Sequence, residues 1–267
     1  MPGLTAQQLY AQLYDLRVHN WPGELDFYHD FLSVHRESQK GVLEIACGTG
    51  RVTIPLAQAG YQMTAFDLSP ELLDIARAKT TKEQVNPAWV QADMRTFELR
   101  RKFGVVISPG HSFQFMNTPQ EQVQCLEHIY QHLLPGGWLI LHLDHQDVRW
   151  LAELLAAKEP QYSVGDILLH PATNILYRYT HYWTYQPSTQ TATVHAKWEQ
   201  IDEKSNIIAT WSMAPNSLHC AFRSEIEHLL NRCGFTVKAL YGDFYRHPLE
   251  DTSENMVWVA RKTSFQD

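Results

Sequence analysis

Cysteine is scarce in this chain of 267 residues, and its four copies, Cys47, Cys125, Cys220 and Cys233, lie far apart with no C-x-x-C pair. That spacing excludes a disulfide scaffold or a zinc ribbon, so reduced thiols are expected. Basic residues are in deficit too: 22 Lys and Arg stand against 29 Asp and Glu, a net charge of −7, and the densest basic cluster is Arg100-Arg101-Lys102. Bulk attraction to nucleic acid or to an anionic membrane needs the opposite balance, so neither is expected as a partner. No apolar run reaches the length of a membrane span, and MPGLTAQQLYAQLYDL at the N-terminus has neither the basic flank nor the apolar core of a signal peptide. A cytoplasmic protein is therefore the expectation. Internal repeats and low-complexity linkers are missing as well, while 44% hydrophobic and 19% charged residues are ordinary for a folded protein.

What the chain does have is a stretch around which the rest is organised, Gly41 to Arg51, GVLEIACGTGR. Val42, Leu43 and Ile45 read as a buried parallel strand, and Gly48 and Gly50 suit a tight turn where backbone approaches a ligand closely. Val52, Leu56 and Ala59 follow at the spacing of one helix face, with Gly60 as the stop. Strand, glycine turn and helix open a nucleotide-binding βα unit, in which amide donors at the helix start face the ligand. Counting from Gly48 gives Gly48, Gly50 and then Thr53, so the third glycine of a dinucleotide fingerprint is missing, and no Gly-Lys-Ser/Thr ending makes a Walker loop.

Strand and helix signals alternate from there. Gln62 to Phe66 reads as strand two and ends at Asp67; Ser69 is an N-cap ahead of Pro70 and a helix through Leu72, Leu73, Ile75 and Ala76. Trp89 to Gln91 is strand three, ending at Ala92-Asp93-Met94. Val105 to Ser108 is strand four, Glu121 to Leu134 a helix, and Pro135-Gly136-Gly137 turns into strand five, Trp138 to Leu143. Val148 to Lys158 is helical, and Ile167 to Trp211 carries three alternating runs rich in Tyr, Thr, Val and Trp, an antiparallel sheet inserted into the α/β domain. Arg223 to Cys233 is a helix stopped by Gly234, and Phe235 to Tyr241 and Asn255 to Lys262 are two strands joined by a short loop.

Asp67 falls 17 residues after Gly50 (67 − 50), close to the separation of a carboxylate that holds ribose hydroxyls on the neighbouring strand. Asp93 recurs at the end of strand three, on the same sheet edge where open α/β sheets bind ligands. Each has a plainer alternative, a helix cap for Asp67 and a solvated strand end for Asp93.

Glu44-Ile45-Ala46-Cys47-Gly48-Thr49-Gly50 resembles motif I of the class I S-adenosylmethionine-dependent methyltransferases, with Ala46 in place of the first glycine. Asp67, Asp93, Val105 to Pro109 and Leu134-Pro135-Gly136-Gly137 follow in that family's order, so the resemblance covers most of the chain. It implies an α/β fold: a Rossmann-like seven-stranded methyltransferase sheet with helices on both faces and an inserted antiparallel β-sheet, and S-adenosyl-L-methionine as cofactor. It implies cofactor binding by Tyr14, Glu44, Ala46, Gly48, Gly50, Arg51, Asp67, Leu68, Asp93, Met94 and Pro109, with Asp67 on the ribose and Asp93 and Met94 at the adenine. It also implies an N-terminal helical cap over 1–36, a cofactor domain over 37–147 and 217–267, and an inserted helix and lid over 148–216. The tail, Leu240 to Phe244 and Met256 to Lys262, resembles a bacterial branch that methylates small molecules.

Methyl transfer from a sulfonium is an in-line displacement, so the protein must chiefly align and desolvate the reactants. A base is needed only where the acceptor still holds its proton. The segments after strands four and five supply the candidates: His111, His145 and Asp144, since imidazole titrates near neutral pH. His142 and Asp144 share strand parity, whereas His145 could turn outward. A metal set of His142, Asp144 and His145 is a weaker reading, because this chemistry needs no metal and the alternation does not converge all three; no metal is expected. The expected reaction is methylation of a small-molecule N, O or carboxylate acceptor. A tRNA-modifying methyltransferase and a catalytically degenerate regulatory protein are the alternatives, the first opposed by the acidic balance. The inserted sheet carries Tyr177, Tyr179, Tyr182, Trp183, Trp198 and Trp211, more aromatic surface than a small sheet leaves in water. A lid over the acceptor and a homodimer through the insertion are the two covers expected for it.

Overall fold

The computed structural model describes residues 4–263; the outermost residues of the expected cap (1–3) and of the last expected segment (264–267) lie outside the described residues. The chain divides into two compact units: Asn20–Gln146 with the described part of Cys220–Asp267, and the described part of Met1–His19 with Asp147–His219.

The larger unit is built on seven strands: β1 (Val42–Ile45), β2 (Met63–Asp67), β3 (Ala88–Gln91), β4 (Phe103–Ser108), β5 (Leu133–Asp144), β11 (Phe235–Tyr241) and β12 (Asn255–Lys262), where β6 to β10 belong to the other unit. Their order is β11-β12-β5-β4-β1-β2-β3. The β1 to β5 neighbours pair in parallel, and β12 runs antiparallel to both β5 and β11. The order reverses at β1, so the turn after β1 opens at a topological switch point. Alternation sorts the central strands onto two cores. Leu43, Ile45, Val106, Leu139 and Leu141 pack with Leu126 and Ile129 of α5 (Pro119–His132) and Ile226 and Leu230 of α7 (Arg223–Arg232). Val42, Val105, Ile107 and Ile140 pack on the opposite face with Phe27, Tyr28 and Phe31 of α2 (Glu24–Val34) and Leu56 of α3 (Thr53–Gln58).

Two local expectations change. Strand five begins at Leu133, ahead of Pro135-Gly136-Gly137, because the β4 to β5 pairing absorbs the glycines in a register shift between Phe103 and Val105. The connection from β11 to β12 is not short: residues 242–254 fold on themselves, with Asp243 Oδ1 accepting from Tyr245 N at 2.9 Å and His247 N at 3.1 Å, and they bury Phe244.

The smaller unit holds five strands, β6 (Ser163–Leu169), β7 (Leu176–Gln186), β8 (Thr191–Ile201), β9 (Ile207–Ser212) and β10 (Asn216–His219), rather than three runs. β6 and β10 pair on their inner side with one neighbour each and carry little alternation, which hides them in the sequence. α1 (Ala6–Arg17), opened by a Thr5/Gln8 capping box, packs Leu9 and Leu13 against Tyr177, Tyr179 and Trp198. Trp211 Nε1 donates to the Leu4 carbonyl at 3.1 Å. Four of the six aromatics that called for an outside cover, Tyr177, Tyr179, Trp198 and Trp211, thus pack with the chain's own first helix. The remaining helix of this unit, α6 (Val148–Ala156), sets Trp150 edge-on to Trp183 at 5.6 Å.

Candidate active site

The turn after β1 is left-handed at Ala46 (φ 53°), Gly48 (φ 56°) and Gly50 (φ 83°). Gly50 is required twice over: a Cβ there would stand 2.7 Å from the Trp89 ring, at a φ that side chains rarely adopt. Ala46 occupies the first glycine's place in the same backbone region, so the family's preference for glycine there has a conformational reason. The turn is tied to β2 by Gly48 N, which donates to Asp67 Oδ2 at 2.8 Å, and Ser69 N donates to Oδ1 of the same carboxylate at 2.9 Å. Ser69 caps α4 (Pro70–Glu83), so Asp67 is not that helix's cap. Burial raises the Asp67 pKa against the pull of these amides. Each oxygen accepts a backbone N–H and keeps further lone-pair capacity, acceptors to which both hydroxyls of a ribose diol could donate. Lys79 of α4 adds a contact unread in the sequence, Nζ to the Thr49 carbonyl at 3.2 Å.

Glu44 faces the α2 and α3 core. Its carboxyl takes the Thr53 hydroxyl as hydrogen-bond donor, and burial lifts its pKa to about 8, with Thr53 and Arg51 opposing. Arg51 is forked onto the fully buried Glu24 through both terminal nitrogens, Nη2 to Oε1 at 3.1 Å, and reaches Asn20 Oδ1 at 2.7 Å. The Trp21 ring lies 5.0 Å from the Arg51 guanidinium. The buried partner Glu24 escaped the sequence reading; a charged residue following a Trp-Pro-Gly turn was its only signal.

Asp93 lies beside Arg95, whose Nη2 donates to Oδ2 at 2.5 Å and whose Nη1 reaches Glu121 at 2.9 Å. These hydrogen bonds from Arg95 hold the Asp93 carboxyl below its ordinary range. Asp93 lines a cavity of about 430 Å³ with Arg95, Thr118 and Glu121. Leu68 is exposed, Met94 is half-buried, and Pro109 is buried. Tyr14 belongs to the smaller unit, on α1, with Tyr10 edge-on at 5.6 Å.

The ends of β4, β5 and β12 carry the second group. His111 stands in the left-handed region (φ 62°) after β4, and its Nδ1 lies 3.0 Å from Asp144 Oδ1. Its Nε2 lies 3.2 Å from Nε2 of His142. His142 is fully buried, accepts from Gly110 N on Nδ1 at 3.2 Å and meets Asn255 Oδ1 through Nε2 at 2.8 Å. Burial pushes the His142 pKa well below the ordinary histidine value, and His111 and Arg51 push the same way. Trp21 stands edge-on to both imidazoles, at 4.9 and 4.8 Å, and Phe244 packs on His142 at 4.7 Å. Register explains the convergence: Asp144 pairs with Asn255 and His142 with Val257, so all three side chains of the cluster's sheet edge share one face. His145, one residue on, turns the other way and holds the Ser253 carbonyl through Nδ1 at 2.8 Å. His111 and Asp144 are therefore brought together and His145 is not. A cavity of about 520 Å³ opens beside Asn255, walled by Trp21, Phe244, Tyr245, Asp243 and Glu254. Among the described residues no set of three or more His, Cys, Asp or Glu is arranged to hold a metal ion. No helix among them is long and apolar enough to cross a membrane.

Residues 42–137 match the family described as a methyltransferase domain. A Geobacillus sp. (strain WCH70) protein carrying a methyltransferase name is 25% identical over 232 residues, 85% of this chain and 86% of that protein. The dTDP-3-amino-3,6-dideoxy-alpha-D-glucopyranose N,N-dimethyltransferase of Streptomyces fradiae is 31% identical over 137 residues; 49% of this chain and 51% of that protein are covered. Among solved structures, a S-adenosylmethionine-dependent methyltransferase from Clostridium acetobutylicum ATCC 824 shares the fold with a TM-score of 0.77 at 16% identity, over 96% of this chain and 97% of that one. With a glycine turn and the Asp67 carboxylate at the switch point of a seven-stranded sheet, and this domain match across them, the chain carries a methyltransferase domain over residues 42–137 and is an S-adenosylmethionine-dependent enzyme with S-adenosyl-L-methionine as its cofactor.

Proposed function

We propose that the methyl acceptor is an amine nitrogen of a small polar molecule, bound where β4, β5 and β12 end. The observation that carries this reading is the 3.0 Å approach of His111 Nδ1 to Asp144 Oδ1 at that edge. An alkyl amine arrives at neutral pH as an ammonium ion, and its nitrogen attacks only after shedding a proton. A half-exposed carboxylate attracts the cation, and the imidazole hydrogen-bonded to it offers a ring nitrogen to take the proton. The amino-sugar N,N-dimethyltransferase among the relatives supports the same acceptor chemistry.

Bound S-adenosyl-L-methionine supplies an electrophilic methyl on a sulfonium. Asp67 would hold its ribose hydroxyls, Asp93 and the Met94 backbone its adenine, and the turn from Ala46 to Arg51 its remaining polar groups. His111 receives the ammonium proton and Asp144 balances the charge that results. The nitrogen lone pair freed by His111 would then be open to the methyl group that the cofactor supplies. Trp21 and Phe244 exclude water from the reacting edge. The neighbouring cavity of about 520 Å³ has the size of a small-molecule site and takes the body of the acceptor.

Incubation with S-adenosyl-L-methionine and matched sets of small amines, alcohols and carboxylates, followed by mass spectrometry, tests the reading. Amines are expected to gain the methyl group, with His111→Ala and Asp144→Ala lowering turnover by about a hundredfold. Methylation confined to carboxylates, or a His111→Ala variant with the wild-type pH profile, would overturn it.

A further inference from the structure

The candidate base uses one ring nitrogen, and the geometry around the other is set by two residues that the proposed transfer does not itself employ. Gly110 N can only donate, so His142 Nδ1, 3.2 Å away, must be the bare acceptor nitrogen of a neutral imidazole. The single ring proton of His142 therefore sits on Nε2. Two acceptors compete for it: Asn255 Oδ1 at 2.8 Å and His111 Nε2 at 3.2 Å. The same argument orients the amide, because an NH2 group facing that N–H would set donor against donor. Asn255 must present its oxygen.

We infer that His142 and Asn255 are positioning residues for the proton transfer, the Asn255 oxygen drawing the His142 proton away so that the His111 Nε2 lone pair stays open to the acceptor's proton. This rests on the reading of His111 as the base. With Nδ1 turned to Asp144, Nε2 is the only nitrogen that can receive a proton, and it is the one that a misdirected His142 proton would block. Packing locks the arrangement. His142 is fully buried beneath Phe244 and Trp21, Asn255 is fixed opposite Asp144 in the β5 to β12 register, and Gly110 leaves the β4 turn just before His111. The charged and titratable groups that face the pair are Asp144 and His111 themselves and Arg51, the last already neutralised by Glu24.

The sign of each substitution follows. In Asn255→Ala the His142 proton has only His111 Nε2 to go to, which stabilises neutral His111 and hides its lone pair. The acid limb of the kcat profile should then move to lower pH and plateau kcat should fall about tenfold, with cofactor affinity unchanged. Asn255→Asp keeps an oxygen acceptor and adds a negative charge, so it should retain turnover and move the limb to higher pH. A merely structural Asn255 would lower Tm in both variants and move neither limb.

The decisive experiment is 15N NMR of the full chain with labelled histidine, the His111 and His142 signals being identified by their loss in His111→Gln and His142→Gln. No acceptor is needed, so its outcome is separate from the choice of substrate. A His142 proton on Nε2, with the His111 Nε2 signal shifting towards a hydrogen-bonded value in Asn255→Ala, upholds the inference even if no amine is methylated. A His142 proton on Nδ1, or a His111 signal that is indifferent to Asn255→Ala, overturns it even in an active amine methyltransferase.

Discussion

Gly48 N donates to Asp67 Oδ2 over 2.8 Å, so the glycine turn and the end of β2 are one assembly rather than two independent contacts to a ligand. Removing the carboxylate therefore does two things at once. Asp67→Ala should weaken S-adenosyl-L-methionine binding by about 1 to 3 kcal/mol through hydrogen bonds lost from a charged group, and should loosen the Gly48 backbone as well. Asp67→Asn keeps one oxygen for Gly48 and should fall between. Titration calorimetry with the cofactor checks the order; an affinity for Asp67→Ala equal to wild type would remove Asp67 from the ribose.

Glu44 makes stability depend on pH. Its carboxyl titrates at about 8 in the fold against an ordinary 4.5, because burial disfavours the charged form. Below about 4.5 both folded and unfolded chains hold the proton and nothing is lost. Between 4.5 and 8 the unfolded chain releases a proton that the folded chain keeps, so stability falls as pH rises, at a limiting slope of about 1.4 kcal/mol per pH unit. Above about 8 the slope vanishes. Glu44→Gln, which keeps a group for the Thr53 hydroxyl, should flatten this window in urea melts taken from pH 5 to 8. Parallel pH dependences for the variant and wild type would exclude Glu44 as its source.

Much of this was legible because it depends on order along the chain. The strand ends at Ile45, Asp67 and Gln91 follow from short apolar runs, and the parity of His142 and Asp144 follows from alternation within β5. The partners that complete the site could not be read that way. Glu24 meets Arg51 across 27 residues and Asn255 meets His142 across 113, and neither pairing leaves a periodic trace. The inserted sheet shows the same limit: its aromatics were plain, but the helix that covers them lies far away at the N-terminus, and only the fold joins Leu13 to Trp198.

Ala46 holds a left-handed backbone where glycine would carry no steric penalty. A left-handed alanine is disfavoured by about 1 to 2 kcal/mol, whereas a glycine there gives back about 0.4 to 1 kcal/mol through the unfolded chain's extra freedom. Ala46→Gly should therefore leave stability unchanged or raise it by about 1 kcal/mol, unlike alanine-to-glycine changes within helices, which destabilise. Thermal unfolding of Ala46→Gly beside Ala76→Gly in α4 makes the comparison. A loss of the same size at both positions would show that the left-handed backbone at Ala46 carries no cost.

The last prediction concerns the aromatic face of the smaller sheet. Tyr177 and Trp198 are almost fully buried, and Leu9 and Leu13 of α1 fill the space against them. Their burial is thus part of that unit's own core, and neither a bound acceptor nor a second subunit is needed to keep them from water. Leu13→Ala should cost about 2 to 5 kcal/mol and Trp198→Ala about 3 to 5 kcal/mol, since each leaves a cavity among ring edges that cannot collapse onto it. Polar replacements at the same positions should lower the unfolding midpoint before they alter particle mass or acceptor KM. Light scattering, thermal unfolding and steady-state kinetics on Trp198→Gln separate the cases. A shift in mass at unchanged stability would assign this face to a subunit interface, and a shift in acceptor KM alone would assign it to the acceptor pocket. The packing of Leu9 and Leu13 on these rings predicts that neither occurs without loss of stability.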